Sequence, residues 1–340
     1  MATTITGTTI DVGPNKLVSD SSGNVTASGV LSDPSGNVRA GRKNWIINGS
    51  VIVSQRASYA TAVSMTTQAY YQDRWTTVIN NGVAATIQTK STDQPNGQVG
   101  NCIRVITSAG SSAAECVVDQ RVENPQQFAG KTLTFSVWMK SNTNKAGISH
   151  YNNQDTFVAP TNHTGGGAWE KLTLTHTVNA TGPTDFRLRL GMSQSGNTVV
   201  GVGDYFEVTE AQMEYGSVAT DFEHRSFGEE LALCQRYYQK YGGAADWTVG
   251  TSANYNGSNN YLGLSFINEM RAAPTGSWTN ATGWTVLSAG SAVSTTVVFM
   301  EGVTTNRAEI YFTTASAMTQ GNASWVRGSS SMFIYLDAEI

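Results

Sequence analysis

Side chains able to do chemistry are sparse in this chain. The histidines are His150, His163, His176 and His224. None of them falls in a His-x-x-x-His, and no Gly-x-Ser-x-Gly, Cys-x-x-Cys or glycine-rich phosphate loop occurs. His176 alternates with apolar residues, as a satisfied core histidine would. His224 precedes a helix start and orients the chain there, while His163 beside Gly165-Gly-Gly167 reads as an exposed loop residue. Glycan hydrolysis would need two carboxylates ~5–9.5 Å apart across a cleft. Glu207 and Glu210 fall on opposite faces of one strand, which leaves Asp204 with Glu207, or Asp246 with Glu269. No catalytic constellation emerges, and the reading is of a protein that is not an enzyme.

Binding chemistry is better represented. Sugars are held by aromatic faces against C–H surfaces and by planar amides and carboxylates. Tyr255 lies among Asn254, Asn256, Asn259 and Asn260 in one polar loop, and Trp278, Asn280 and Trp284 form a second aromatic–amide stretch. Tyr255, Asn256, Trp278 and Trp284 are therefore the candidate glycan-binding residues. The alternative for the two tryptophans is the core or a subunit interface. Tyr151-Asn-Asn-Gln-Asp155 is a similar loop. The Asp-x-Ser-Gly-Asn turns near the N-terminus carry oxygen ligands but fall far short of a calcium loop, so neither metal nor cofactor is expected.

The elements that must position these residues are almost all strands. Charged residues make up 14% of 340 and glycine reaches 34 copies, a turn-rich β composition whose apolar content is too normal for disorder. Clean alternation marks Leu133-Phe135-Val137-Met139, Leu172-Leu174-His176-Val178 and Phe186-Leu188-Leu190-Met192. Further strands are expected at Ala84–Lys90, Cys102–Ser108, Glu115–Val122 and Tyr205–Met213, together forming a jelly-roll-like β-sandwich over residues 42–225. Asp73-Arg74-Trp75 reads as an ion pair and a core tryptophan holding the first sheet. A smaller C-terminal β domain is expected over 244–340, with strands at Asp246–Ser252, Tyr261–Ile267, Val293–Met300, Ala308–Thr313 and Met332–Asp337. The spacing predicts one linking helix within 226–243, over Phe227–Tyr241. Ser226 and Glu229 form its capping box, Leu231, Cys234, Tyr238 and Tyr241 its apolar stripe, and Gly242-Gly243 its stop. Cys102 and Cys116 are placed on neighbouring strands around Ala109–Ser112, where a suitable register would let them face each other; Cys234 reads as core.

Residues 1–41 hold an internal repeat: Leu17-Val-Ser-Asp-Ser-Ser-Gly-Asn-Val-Thr-Ala27 returns as Val30-Leu-Ser-Asp-Pro-Ser-Gly-Asn-Val-Arg-Ala40. Such units bury little alone, so the segment is either a flexible arm or an attachment or shaft segment ordered by other subunits. A net charge of −4 offers no basic footprint for nucleic acid. No apolar run approaches the ~20 residues of a bilayer span, and no signal-peptide pattern opens the sequence. The expectation is synthesis in a cytoplasm without membrane insertion.

Glu214-Tyr-Gly-Ser-Val-Ala-Thr-Asp-Phe-Glu-His-Arg225 running into Gly228-Glu-Glu-Leu-Ala-Leu-Cys-Gln-Arg-Tyr-Tyr238 resembles a junction of bacteriophage tail-fibre and receptor-binding proteins. In that family a β-sandwich similar to carbohydrate-binding modules precedes the junction. Arg42-Lys-Asn-Trp-Ile-Ile-Asn-Gly49, Ser54-Gln-Arg56 and Tyr71-Gln-Asp-Arg-Trp75 resemble its opening; Met270-Arg-Ala-Ala-Pro274 and Leu336-Asp-Ala-Glu-Ile340 resemble its C-terminal partner. The resemblance runs from about residue 41 onward and implies a virion protein, most simply a homotrimeric tail fibre adsorbing to host-surface polysaccharide or protein. Residues 1–41 would then contact other virion proteins. A head fibre or decoration protein, a glycan-cleaving enzyme and a purely structural adaptor are the alternatives.

Overall fold

The computed structural model describes residues 9–12, 15–19, 25–28, 32–33, 36–37, 43–97, 100–112, 114–155, 159–192, 199–243 and 247–339. Among the described residues the protein is all-β apart from one α-helix and two 3-10 turns at Pro95–Gly97 and Pro125–Phe128. Near the N-terminus, β1 (Thr9–Val12), β2 (Asn15–Ser19) and β3 (Val25–Ser28) form an antiparallel sheet, and β4 (Ser32–Asp33) pairs with β5 (Gly36–Asn37). The β2–β3 pairing sets Ser19 against Val25, and the β4–β5 pairing sets Ser32 against Asn37. Each repeat copy thus contributes two antiparallel strands; residues 20–24 and 34–35 between them lie outside the described residues.

The chain divides into two compact units. The first takes residues 1–50, 64–67 and 77–224. Its strands are β6 (Val63–Ser64), β8 (Trp75–Ile79, following β7, Tyr70–Gln72), β9 (Ala84–Lys90), β10 (Cys102–Ala109), β11 (Cys116–Arg121), β12 (Thr132–Ser141), β13 (Ala146–Asn152), β14 (Thr161–Asn162), β15 (Trp169–Thr177), β16 (Phe186–Met192) and β17 (Tyr205–Tyr215). They build a jelly-roll-like sandwich. One sheet runs β15-β12-β17-β10-β9-β6 and the other β14-β13-β16-β11-β8, with β7 hairpinned to β8. Alternation decides which side chains enter the core: Leu133, Phe135, Val137 and Met139 from one sheet, and Phe186, Leu188, Leu190 and Met192 from the other, are completely buried. Each such burial stabilises by roughly 1.5–3 kcal/mol.

Cys102 and Cys116 do not share neighbouring strands of one sheet, contrary to the expectation from their spacing. Cys102 lies on β10 and Cys116 on β11, which belong to opposite sheets, because the chain crosses between layers after Ala109 instead of folding back as a hairpin. All three cysteines are free and buried.

The second unit takes residues 51–63, 68–76 and 225–340. It holds α1 (Phe227–Gln235), β18 (Tyr238–Gly242), β19 (Trp247–Asn254), β20 (Asn259–Ser265), β21 (Thr275–Trp278), β22 (Thr285–Ser288), β23 (Ser291–Glu301), β24 (Arg307–Thr314), β25 (Ala323–Gly328) and β26 (Phe333–Asp337). Ser226 caps α1, its hydroxyl accepting from the Glu229 N–H at 3.3 Å. The helix is shorter than its spacing predicts. Past Gln235 the chain turns, and Tyr238–Gly242 becomes a strand paired with β26, Tyr238 opposite Asp337 and Tyr241 opposite Ile334. Tyr238 and Tyr241, spaced three apart, fit a helical stripe, but tyrosine suits a pleated surface equally well and the β26 backbone supplies the partners. Gly242 and Gly243, at φ +115° and +93°, end this strand instead of a helix.

Six strands close a barrel in the order β19-β20-β24-β23-β22-β25, and β18-β26-β21 form a smaller sheet. Leu262, Val286, Val298, Ile310, Phe312 and Val326 share the core with Leu336 and Trp284. The segments at 51–63 and 68–76 join this unit through paired charges. Arg74 is buried, its guanidinium stacked on the Tyr237 ring at 3.4 Å and ion-paired to Glu339. Arg56 lies over Tyr238 at 3.9 Å and pairs with Asp337 at 3.0 Å and Glu339 at 3.3 Å. The ion pair of the Asp73-Arg74-Trp75 motif therefore runs to Glu339, while Asp73 accepts from the Gln55 backbone and side-chain amides at 2.6 and 2.9 Å.

Candidate functional site

The barrel wall presents an exposed aromatic row. Along β20 and β24 every second side chain points outward, and a register shift in β23 between Thr295 and Val297 brings its later residues into step. Tyr261 then stands opposite Tyr311, and Tyr311 opposite Phe299. Tyr261 and Tyr311 meet edge to face, with centroids 4.8 Å apart at 80°, while Phe299 and Tyr311 are tilted at 37° with centroids 4.2 Å apart. Tyr255, 64% exposed, extends the row by an edge contact with Tyr261 at 5.3 Å. Phe299 is 38% exposed. A large hydrocarbon surface left in water costs free energy unless something covers it. The row is flanked on both sides along the strands. Asn259 and Val297 face Thr313 on one side, while Glu309 faces both Gly263 and Glu301 on the other. Desolvation raises the Tyr261 phenol above its ordinary range, and the neighbouring Glu301 carboxylate raises it further.

The four candidate residues do not assemble into one site. Tyr255 joins the row. Asn256 sits beside it, but its carboxamide oxygen accepts from the Ser258 and Asn259 backbone N–H groups, each at 2.9 Å, and so holds the turn. Trp278 is half-buried on β21 and packs against the barrel core. Trp284 is completely buried, 5.8 Å from the Trp247 ring and 6.1 Å from Phe312, with no face open to a ligand. Apolar strand residues claim both indoles because the turns beside them feed straight into the core. Asn254 and Asn260 are also interior: Asn260 donates to Asn254 at 3.0 Å, and Asn254 donates to Ser288 and to the Thr319 carbonyl, both at 3.1 Å.

The other groups singled out in the sequence hold structure. His163 is buried rather than exposed. Its Nδ1 accepts from the Gly165 N–H at 2.8 Å, which leaves Nε2 to donate to the Ala168 carbonyl at 2.9 Å, so the ring fixes the glycine turn. His176 pairs with Asp155 at 2.7 Å. His150 lies parallel to Phe135 and Phe186, 5.3 Å from each, and burial pushes its pKa down to about 4. Asn152 accepts from the Gln154 and Asp155 N–H groups, tying down the loop after Tyr151. Of the carboxylates weighed for glycan hydrolysis, Glu207 is buried between Lys90 at 3.1 Å and Arg104 at 3.0 Å. Asp204 pairs with Lys145 at 3.0 Å, and Glu269 accepts from the Thr305 hydroxyl at 2.9 Å. Asp246 lies outside the described residues. Among the described residues no group of three or more His, Cys, Asp or Glu could hold a metal ion, and no helix is long and apolar enough to cross a membrane.

In the sequence Tyr311 and Phe299 are masked by apolar neighbours on both sides, as in Ile310-Tyr311-Phe312, and Tyr261 leads directly into Leu262 and its strand. Their one available signal is parity: each occupies the polar phase of its strand.

No family model and no curated protein matches the chain. Several solved structures align with about half of it. The enzymatically active domain of a bacteriophage CBA120 tailspike protein is 12% identical over 51% of this chain and 21% of that one, TM-score 0.32. A putative sugar-binding protein of Bacteroides thetaiotaomicron is 10% identical over 51% of this chain and 100% of its own, TM-score 0.31. A family 11 carbohydrate-binding module of Clostridium thermocellum is 11% identical, covering 48% and 99%, TM-score 0.30. The described residues form one β-sandwich and one β-barrel, with an aromatic platform on the barrel wall.

Proposed function

We propose that this protein binds host-surface glycan as a tail fibre or receptor-binding protein of a phage virion, using the Tyr255-Tyr261-Tyr311-Phe299 row. The observation that carries the glycan reading is the row itself: four rings in mutual contact on an exposed barrel wall, the surface against which sugar C–H faces stack. Strand pairing fixes three of them, so little side-chain entropy is lost on binding. The virion role, the homotrimer and the attachment through residues 1–41 rest on the junction and flanking motifs that resemble phage fibres. Weak single sites would gain strength from several copies per virion.

The test is competition. Purified full-length protein is added to host cells before phage, and free phage are counted with time. Wild type should decorate cells and slow adsorption, and Tyr261→Ala/Tyr311→Ala should do neither while keeping its fold. A folded wild-type oligomer that neither binds cells nor slows adsorption would overturn the reading.

A further inference from the structure

The ligand class of this site is narrowed by what borders the aromatic row. We infer that the barrel wall selects glycans bearing free amino groups, the sugar ring stacking on Tyr261 and Tyr311 and its ammonium meeting the Glu301–Glu309 pair. This rests on the glycan reading above and goes one step past it.

Glu301 and Glu309 are directly opposed on β23 and β24, one step along the strands from Phe299 and Tyr311. Opposed Cβ atoms in such a pair lie about 4.5–5.5 Å apart, and like charges there destabilise a sheet. Both residues are exposed, and among the described residues neither has a Lys or Arg ion pair. Arg307 follows on the same face of β24, but on the side of Glu309 away from the rings. Across β24 from this pair the β20 position is Gly263, where an added Cβ would meet nothing within 4 Å, so the shelf beside Glu309 is open. Ionised carboxylates only accept hydrogen bonds. A ligand filling this shelf must bring donors, and an ammonium also relieves the opposed charges and is attracted to the ring faces. Acidic glycans meet the pair as a repulsive wall. The same two carboxylates that disfavour the empty sheet therefore supply discrimination between cationic, neutral and acidic sugars.

The experiment is calorimetric titration of the full chain, at mildly acidic pH, with a glucosamine oligomer, its N-acetylated counterpart and a uronic acid oligomer. The glucosamine oligomer should bind about ten-fold or more tighter than the N-acetylated one, with the uronic acid oligomer weakest. Glu301→Gln/Glu309→Gln should remove that preference by bringing the amine oligomer's affinity down to that of the N-acetylated one, and abolish the weakening of amine binding by added salt. Equal affinity for amine and N-acetyl oligomers, or a preference that survives the double Gln variant, overturns the inference. The glycan reading then still stands if Tyr261→Ala/Tyr311→Ala loses cell binding, and both fall if it does not. Light scattering runs alongside: a change of oligomer mass in the Gln variant with ligand preference unaltered would mark the wall as an interface between copies, which also overturns the inference.

Discussion

Replacing Glu339 with alanine should be among the most damaging single changes in the second unit. Its carboxylate side chain is 4% exposed and pairs with Arg74, whose side chain is 1% exposed, and with Arg56 at 3.3 Å. It also accepts from the Arg74 backbone N–H at 3.3 Å. Glu339→Ala leaves the Arg74 guanidinium in the interior without this carboxylate. Breaking one side of a buried pair costs about 3–5 kcal/mol. Arg56 keeps Asp337 at 3.0 Å and limits the loss on its side. In a unit of about 140 residues, that loss lowers the melting temperature by about 10–20 °C. The assay is scanning calorimetry at neutral pH, repeated at high salt, where a buried pair is screened little. Arg74→Met/Glu339→Leu, which removes both charges and fills the space, should recover most of the loss. A drop below about 1 kcal/mol for Glu339→Ala, or a double variant no better than the single, would refute the reasoning.

Trp284→Ala should cost about 3–5 kcal/mol through the cavity it leaves, whereas Tyr255→Ala should stay within about 0.5 kcal/mol; urea denaturation separates the two. His150 is held neutral by burial, with its pKa down to about 4, so the unfolded chain binds the extra proton between about pH 6.5 and 4. Stability should therefore fall by up to about 3 kcal/mol as pH drops through that window, and His150→Phe should flatten the slope of urea midpoint against pH. Burial pushes the Cys102 and Cys116 thiols up to about 12 and that of Cys234 well above its usual value. Mass spectrometry should find all three unreactive to an alkylating agent in the native protein and modified in urea.

The sandwich was legible because alternation is a local signal. Phe186–Met192 and Ala84–Lys90 are strands over the spans that the sequence pattern marks. The Ser226 cap was legible for the same reason, being settled within four residues. What was not legible depends on partners distant in sequence. Tyr238–Gly242 is a strand because Phe333–Asp337 lies beside it. Thr275–Trp278, Thr285–Ser288 and Ala323–Gly328 are too short to show a period, yet without the last two the barrel does not close. Tyr255 and Trp284 look alike in sequence, each aromatic beside turn residues, and only the three-dimensional packing puts one in water and the other in the core. The aromatic row exists only once three strands are in register.

The central claim is that this row holds sugar. The most direct measurement is glycan-array binding by the full chain and by Tyr261→Ala/Tyr311→Ala, with thermal melts run in parallel. The account predicts that the wild type binds a defined set of glycans, and that the variant, still folded, loses about ten-fold or more of that affinity. A wild type that binds no glycan, or a variant that binds the same set equally well, would contradict it.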